Sequence, residues 1–82
     1  MTNELIFKGQ YVSIEFDGTS ESGKTNIFTV FNSETQDALG RVKWYGPWRQ
    51  YSFFPNENIV LEKKCMRDIA TFCENITKKR VE

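Results

Sequence analysis

The chain has 82 residues, 11 basic and 11 acidic side chains, no histidine, and 15% aromatic residues, enough to build one dense small core. Without histidine there is no Ser-His or Cys-His nucleophile pair and no ordinary zinc site, so neither a catalytic constellation, a metal nor a cofactor is expected. The net charge of zero hides an uneven spread: residues 1–40 carry two lysines against six acids, and residues 41–82 carry nine Lys and Arg against five acids.

Oppositely charged neighbours within one fold account most simply for that spread, although a basic half also suits a polyanion. No stretch approaches the ~18 apolar residues of a membrane span. The start, MTNELIFKGQ, lacks the basic opening and long apolar run of a signal peptide. A cytoplasmic protein with no membrane contact is expected, as one domain over 1–82.

Leu5-Ile6-Phe7 is expected to begin the first strand, interrupted at Lys8-Gly9-Gln10 by a bulge or tight bend. From Tyr11 to Phe16 the chain alternates, with Val12, Ile14 and Phe16 on one face and Tyr11, Ser13 and Glu15 on the other, the pattern of a half-buried strand.

Residues 18–25, GTSESGKT, match the phosphate-loop pattern G-x-x-x-x-G-K-[ST] in every position. The chemistry of that loop needs a helix opening at the Lys-Thr, so that backbone N–H groups and the helix N-terminus face the phosphate. Here NIFTVF follows, a β-branched and aromatic run that predicts a strand over 26–31. The eight residues are therefore expected to be a polar turn between two strands.

Ser33–Asp37 reads as a turn, Leu39–Tyr45 as a third strand and Trp48–Phe54 as a fourth, stopped at Pro55-Asn56. The period then changes. Leu61, Cys65, Ile69, Phe72 and Ile76 make the stripe of one amphipathic helix, flanked by Met66 and Cys73. Its start falls between Asn58 and Glu62 without a strong cap. Lys78-Lys79-Arg80 sits at its C-terminal end, where cations favour the helix dipole. Cys65 and Cys73 are separated by about 12 Å along that helix, too far to bridge. Short connections make the sheet antiparallel. The fold class is α+β: an antiparallel sheet of four to five strands with one C-terminal α-helix packed on one face.

Residues 39–55, LGRVKWYGPWRQYSFFP, gather both tryptophans, two tyrosines and three cations. A tight turn at Gly46-Pro47 would pair Tyr45 with Trp48 and Val42 with Tyr51. Val42, Trp44, Tyr51 and Phe53 then share the face under the helix, with Arg49 over Trp44. Arg41, Lys43, Tyr45, Trp48, Gln50 and Ser52 share the other. Proline at the second corner of a two-residue turn is uncomfortable, which leaves a loop of three or four residues as the alternative.

Aromatic and basic side chains on the outer face have three readings. They pack beneath the N-terminal strand or a second copy in a homodimer, they anchor a protein partner, or they hold a single-stranded nucleic acid. The expected function is a small non-enzymatic binding module that takes a protein partner through Arg41, Lys43, Tyr45, Trp48 and Gln50, with single-stranded nucleic-acid binding as the alternative.

The string 39–55 followed by CMRDIATFCENI resembles small uncharacterised proteins of phages, prophages and their bacterial hosts. These share a Lys-Trp-Tyr then Trp-Arg-x-Tyr-x-Phe-x-Pro hairpin ahead of a terminal helix. The likeness spans residues 39–76 and implies no site or activity. The order of four strands and a helix is also similar to single-stranded-DNA-binding transcriptional coactivator domains, a likeness of topology alone.

Overall fold

The computed structural model describes residues 4–81. Strands β1 (Glu4–Lys8), β2 (Val12–Thr19), β3 (Asn26–Asn32), β4 (Ala38–Tyr45) and β5 (Gln50–Pro55) precede one helix, α1 (Lys63–Val81). Each strand pairs antiparallel with the next, so spatial order equals chain order, β1-β2-β3-β4-β5. The helix covers one face of this sheet, which gives the expected α+β architecture with five strands.

Leu5–Phe7 belongs to a strand of its own rather than to the start of β2. The chain reverses at Gly9–Tyr11, where the Gly9 N–H donates to the Val12 carbonyl at 2.8 Å. The irregularity lies inside β1, between Leu5 and Phe7. It turns Phe7 inward, 5.9 Å from Phe72, and leaves Leu5 and Ile6 exposed.

The core is built from the inward positions of the sheet (Val12, Ile14, Phe28, Val30, Val42 and Tyr51, with Leu39) and from Cys65, Ile69 and Phe72 of α1. Phe28 is its centre, edge-on to Phe72 at 5.0 Å and to Tyr51 at 6.1 Å. Each large apolar side chain buried this way contributes about 1.5–3 kcal/mol. Gly40 faces Pro55 across the β4–β5 pair, and a Cβ there would lie 2.8 Å from the Pro55 Cα, so only glycine lets the two strands approach.

One residue caps the helix and two side chains fix it to the sheet. Glu62 caps it: its carbonyl accepts the Met66 N–H at 3.1 Å and its Oε1 accepts the Cys65 N–H at 2.7 Å. A strong cap is therefore present, supplied by a carboxylate that also suits the positive end of the helix dipole. Leu61 lies ahead of the helix and packs on the core from the connecting segment.

Near the first turns, Asp68 Oδ2 accepts the Tyr11 N–H at 3.2 Å, and a Cβ on Gly9 would stand 2.6 Å from that oxygen. Near the last turns, Thr77 Oγ1 accepts the Tyr51 N–H at 3.0 Å. Ile76 is half-buried, whereas Met66, Lys78 and Lys79 are exposed; the Arg80 side chain lies outside the described residues. Both cysteines are free. No helix among the described residues is long and apolar enough to cross a membrane.

Candidate functional site

The phosphate-loop match closes the β2–β3 hairpin. The Ser20 N–H donates to the Thr25 carbonyl at 2.8 Å, and the Gly23 N–H to the Ser20 carbonyl at 2.9 Å. Gly18 and Gly23 have φ of 135° and 74°, which the polar turn requires. Lys24-Thr25 leads directly into β3, so no helix N-terminus stands beside Lys24.

The β4–β5 hairpin takes the longer of the two expected connections, a four-residue loop over 46–49 in place of the two-residue turn. Tyr45 pairs with Gln50, Trp44 with Tyr51, Lys43 with Ser52, Val42 with Phe53 and Arg41 with Phe54. Tyr45 was expected opposite Trp48, so the register is displaced by two. Gly46–Trp48 form a single 3-10 turn, and Arg49 closes it in the left-handed region at φ 52° and ψ 49°. Pro47 occupies the first turn, where its fixed φ fits and its missing N–H has no partner to lose. A displacement of two keeps parity, so every strand residue stays on its expected face.

Val42, Trp44, Tyr51 and Phe53 accordingly face the core, with Trp44 edge-on to Tyr51 at 5.4 Å. Arg49 is not stacked over Trp44. It is carried in the exposed turn, because the longer loop moves it out of the ladder.

Among the described residues the opposite face has no second layer. β1, the N-terminal strand, lies at the far edge of the sheet and does not cover β4 or β5. Arg41, Lys43 and Gln50 are exposed there, and Tyr45 is half-buried. Trp48 is not a strand residue. From the 3-10 turn its indole meets Tyr45 edge-on at 4.9 Å, with 67% of its surface still exposed.

The sequence sets omitted Phe54, although it has the parity of Gln50 and Ser52. Its ring lies 6.0 Å from Tyr45, and Lys43 Nζ stands 4.7 Å over it, a cation–π contact. Tyr45, Trp48, Ser52, Phe53 and Phe54 line a shallow depression of about 250 Å³. Ser52 Oγ is buried here without a hydrogen-bond partner. Residues 38–56 contain no acid, so Arg41, Lys43 and Arg49 give this hairpin an undivided positive charge.

The chain is 34% identical over 71 residues to an uncharacterised 9.3 kDa protein of Acholeplasma phage L2, a match that spans 87% of this chain and 86% of that protein. No family model matches. No solved structure matches either.

Proposed function

This chain belongs to the family of the 9.3 kDa protein of Acholeplasma phage L2, and on that premise we propose that it is a small, phage-associated, non-enzymatic binding module. Its contact surface is the outer face of the 39–54 hairpin, with Arg41, Lys43, Tyr45, Trp48 and Gln50, joined by Phe54, as the contacting residues. The carrying observation is the uncovered cluster of Tyr45, Trp48 and Phe54 beside exposed cations. A monomer gains nothing from leaving an indole in water, whereas Trp, Tyr and Arg are the residues that anchor interfaces. The depression at this cluster is the kind of recess that a partner's side chain or base fills. Two unbridged cysteines accord with a reducing, cytoplasmic setting.

The experiment compares immobilised wild-type chain with a Trp48→Ala/Arg41→Glu double variant in an extract of infected cells. Both substitutions fall on exposed side chains, so circular dichroism and thermal midpoint stay the same. Material captured by the wild type, protein or nucleic acid, should be lost from the variant. Equal capture by the two removes this surface from consideration.

A further inference from the structure

We infer that the partner held on this face is single-stranded DNA, an inference that rests on the hairpin face being the contact surface. Charge is the first reason. Arg41 and Lys43 are alternate residues of β4, exposed on one side of the strand and about 7 Å apart at the rise of an extended chain. Arg49 follows beyond the turn, and no acid lies anywhere in 38–56. A line of cations without internal counter-charges suits successive phosphates of one extended strand.

Lys24 of the 20–25 loop and Lys79 of α1 line one depression with Asn26, Tyr51 and Ile76, on the helix side of the sheet but at the same end of the molecule as the 3-10 turn, where a strand leaving the outer face would meet them. Three separate segments thus bring lysine or arginine to one end of the sheet.

The second reason is the aromatic geometry. Trp48 presents a largely free indole at the end of the cation line, and bases stack on such a surface whatever their sequence. An open antiparallel sheet face with aromatic residues is a platform of the kind on which unpaired bases are splayed and stacked. The face itself is the flat side of a five-stranded sheet, neither the helix nor the two-stranded ribbon that the major groove of a duplex admits.

The third reason concerns the edge of the sheet. An extended peptide would most readily add a strand to β5. The edge-facing Tyr51 N–H is already taken by Thr77 Oγ1, and Pro55 has no N–H to offer. Main-chain recognition of a peptide is therefore obstructed where the face would favour it. Among single strands, DNA fits better than RNA. The recess is lined chiefly by the rings of Tyr45, Trp48, Phe53 and Phe54, with Ser52 and Tyr45 supplying its only side-chain hydroxyls, so its mainly apolar surface suits deoxyribose better than a sugar with a 2′-OH to solvate. Glu15 lies in line with Arg41, two strands away through Thr29, and limits the bound strand to the β4–β5 half of the sheet.

The test is fluorescence anisotropy of labelled dT20, from low salt to physiological salt, with the full chain. Three phosphates neutralised on a single strand correspond to a slope of log K against log salt of about −2, steeper if Lys24 and Lys79 also engage. Trp48→Ala should weaken binding by about tenfold or more, and Trp48→Phe should restore much of the loss. Arg41→Glu should flatten the slope, and Glu15→Gln should tighten binding. U20 and a 20-base-pair duplex should both bind more weakly than dT20, and poly-L-glutamate at equal charge should not displace it.

No binding of dT20 at low salt overturns the inference, as does equal or tighter binding of U20, of duplex or of polyglutamate. If dT20 does not bind while capture from extract still depends on Trp48 and Arg41, the surface stands and its partner is a protein. If dT20 binds with the same affinity to wild type and to both hairpin variants, the surface itself is wrong.

Discussion

The Thr77 hydroxyl, in the fifth turn of α1, accepts the backbone N–H of Tyr51 at 3.0 Å. That single bond joins the C-terminal part of the helix to the edge strand β5 and occupies a donor that would otherwise face a neighbouring chain. Exposed edges of this kind promote self-association when left open. Thr77→Val keeps shape and helix propensity but removes the acceptor. The expected loss is about 1–2 kcal/mol in urea unfolding, together with a concentration-dependent rise in mass by sedimentation. An unchanged midpoint would mean that water serves Tyr51 equally well.

Ser52 raises the opposite case. Its Oγ is buried without a partner on the proposed contact face, and an unsatisfied polar group of this kind costs roughly 1–3 kcal/mol. Ser52→Ala should therefore stabilise the chain by about 1 kcal/mol and raise the thermal midpoint by roughly 5 °C. If the hydroxyl serves a bound partner, the same variant should also bind more weakly. Stability gained together with affinity lost is a pattern that a purely structural serine would not produce.

Glu62 predicts a helix-specific loss. Glu62→Ala deprives the Cys65 N–H of its carboxylate acceptor and should cost about 1 kcal/mol, with Glu62→Gln recovering part of it. The denaturant slope should stay constant, since the surface exposed on unfolding is unchanged.

Cys73 makes the protein sensitive to alkali. Burial pushes its thiol from the ordinary 9.0 up to about 11. Between those values the folded chain keeps a proton that the unfolded chain releases, so stability falls as pH rises through this window. Below it both states are protonated and the thiol adds no slope. Cys73→Ala should flatten part of the alkaline decline in urea midpoint. The rest includes Cys65, whose thiol is also raised, by burial first and by the charge of Glu62 second. At neutral pH both thiols should react slowly with iodoacetamide compared with a free cysteine.

What the sequence determined by itself was everything that depends on local period and parity. Alternation at Val12, Ile14 and Phe16 and the helical stripe through Cys65, Ile69 and Phe72 identify which side chains enter the core. The β-branched run after Lys24 likewise makes GTSESGKT a hairpin turn rather than a phosphate loop. Parity carried the hairpin too: an even register error left Arg41, Lys43, Tyr45 and Gln50 on their expected side.

Long-range geometry decided the rest. The register itself depended on a 3-10 turn that Gly46-Pro47-Trp48 adopts and that moved Trp48 and Arg49 out of the ladder. The Glu62 cap carries no sequence signal, because glutamate is seldom a capping residue and only the fold brings its carboxylate onto the Cys65 N–H. Nothing local states that β1 lies at the edge farthest from β5, which is why the aromatic face is left uncovered. Lys24 and Lys79 are 55 positions apart in the chain and line one depression only because the antiparallel strand order and the helix docking return both ends to the same place. Side-chain periodicity is a property of a few neighbouring residues, whereas edges, uncovered faces and converging charges exist only after the whole chain has packed.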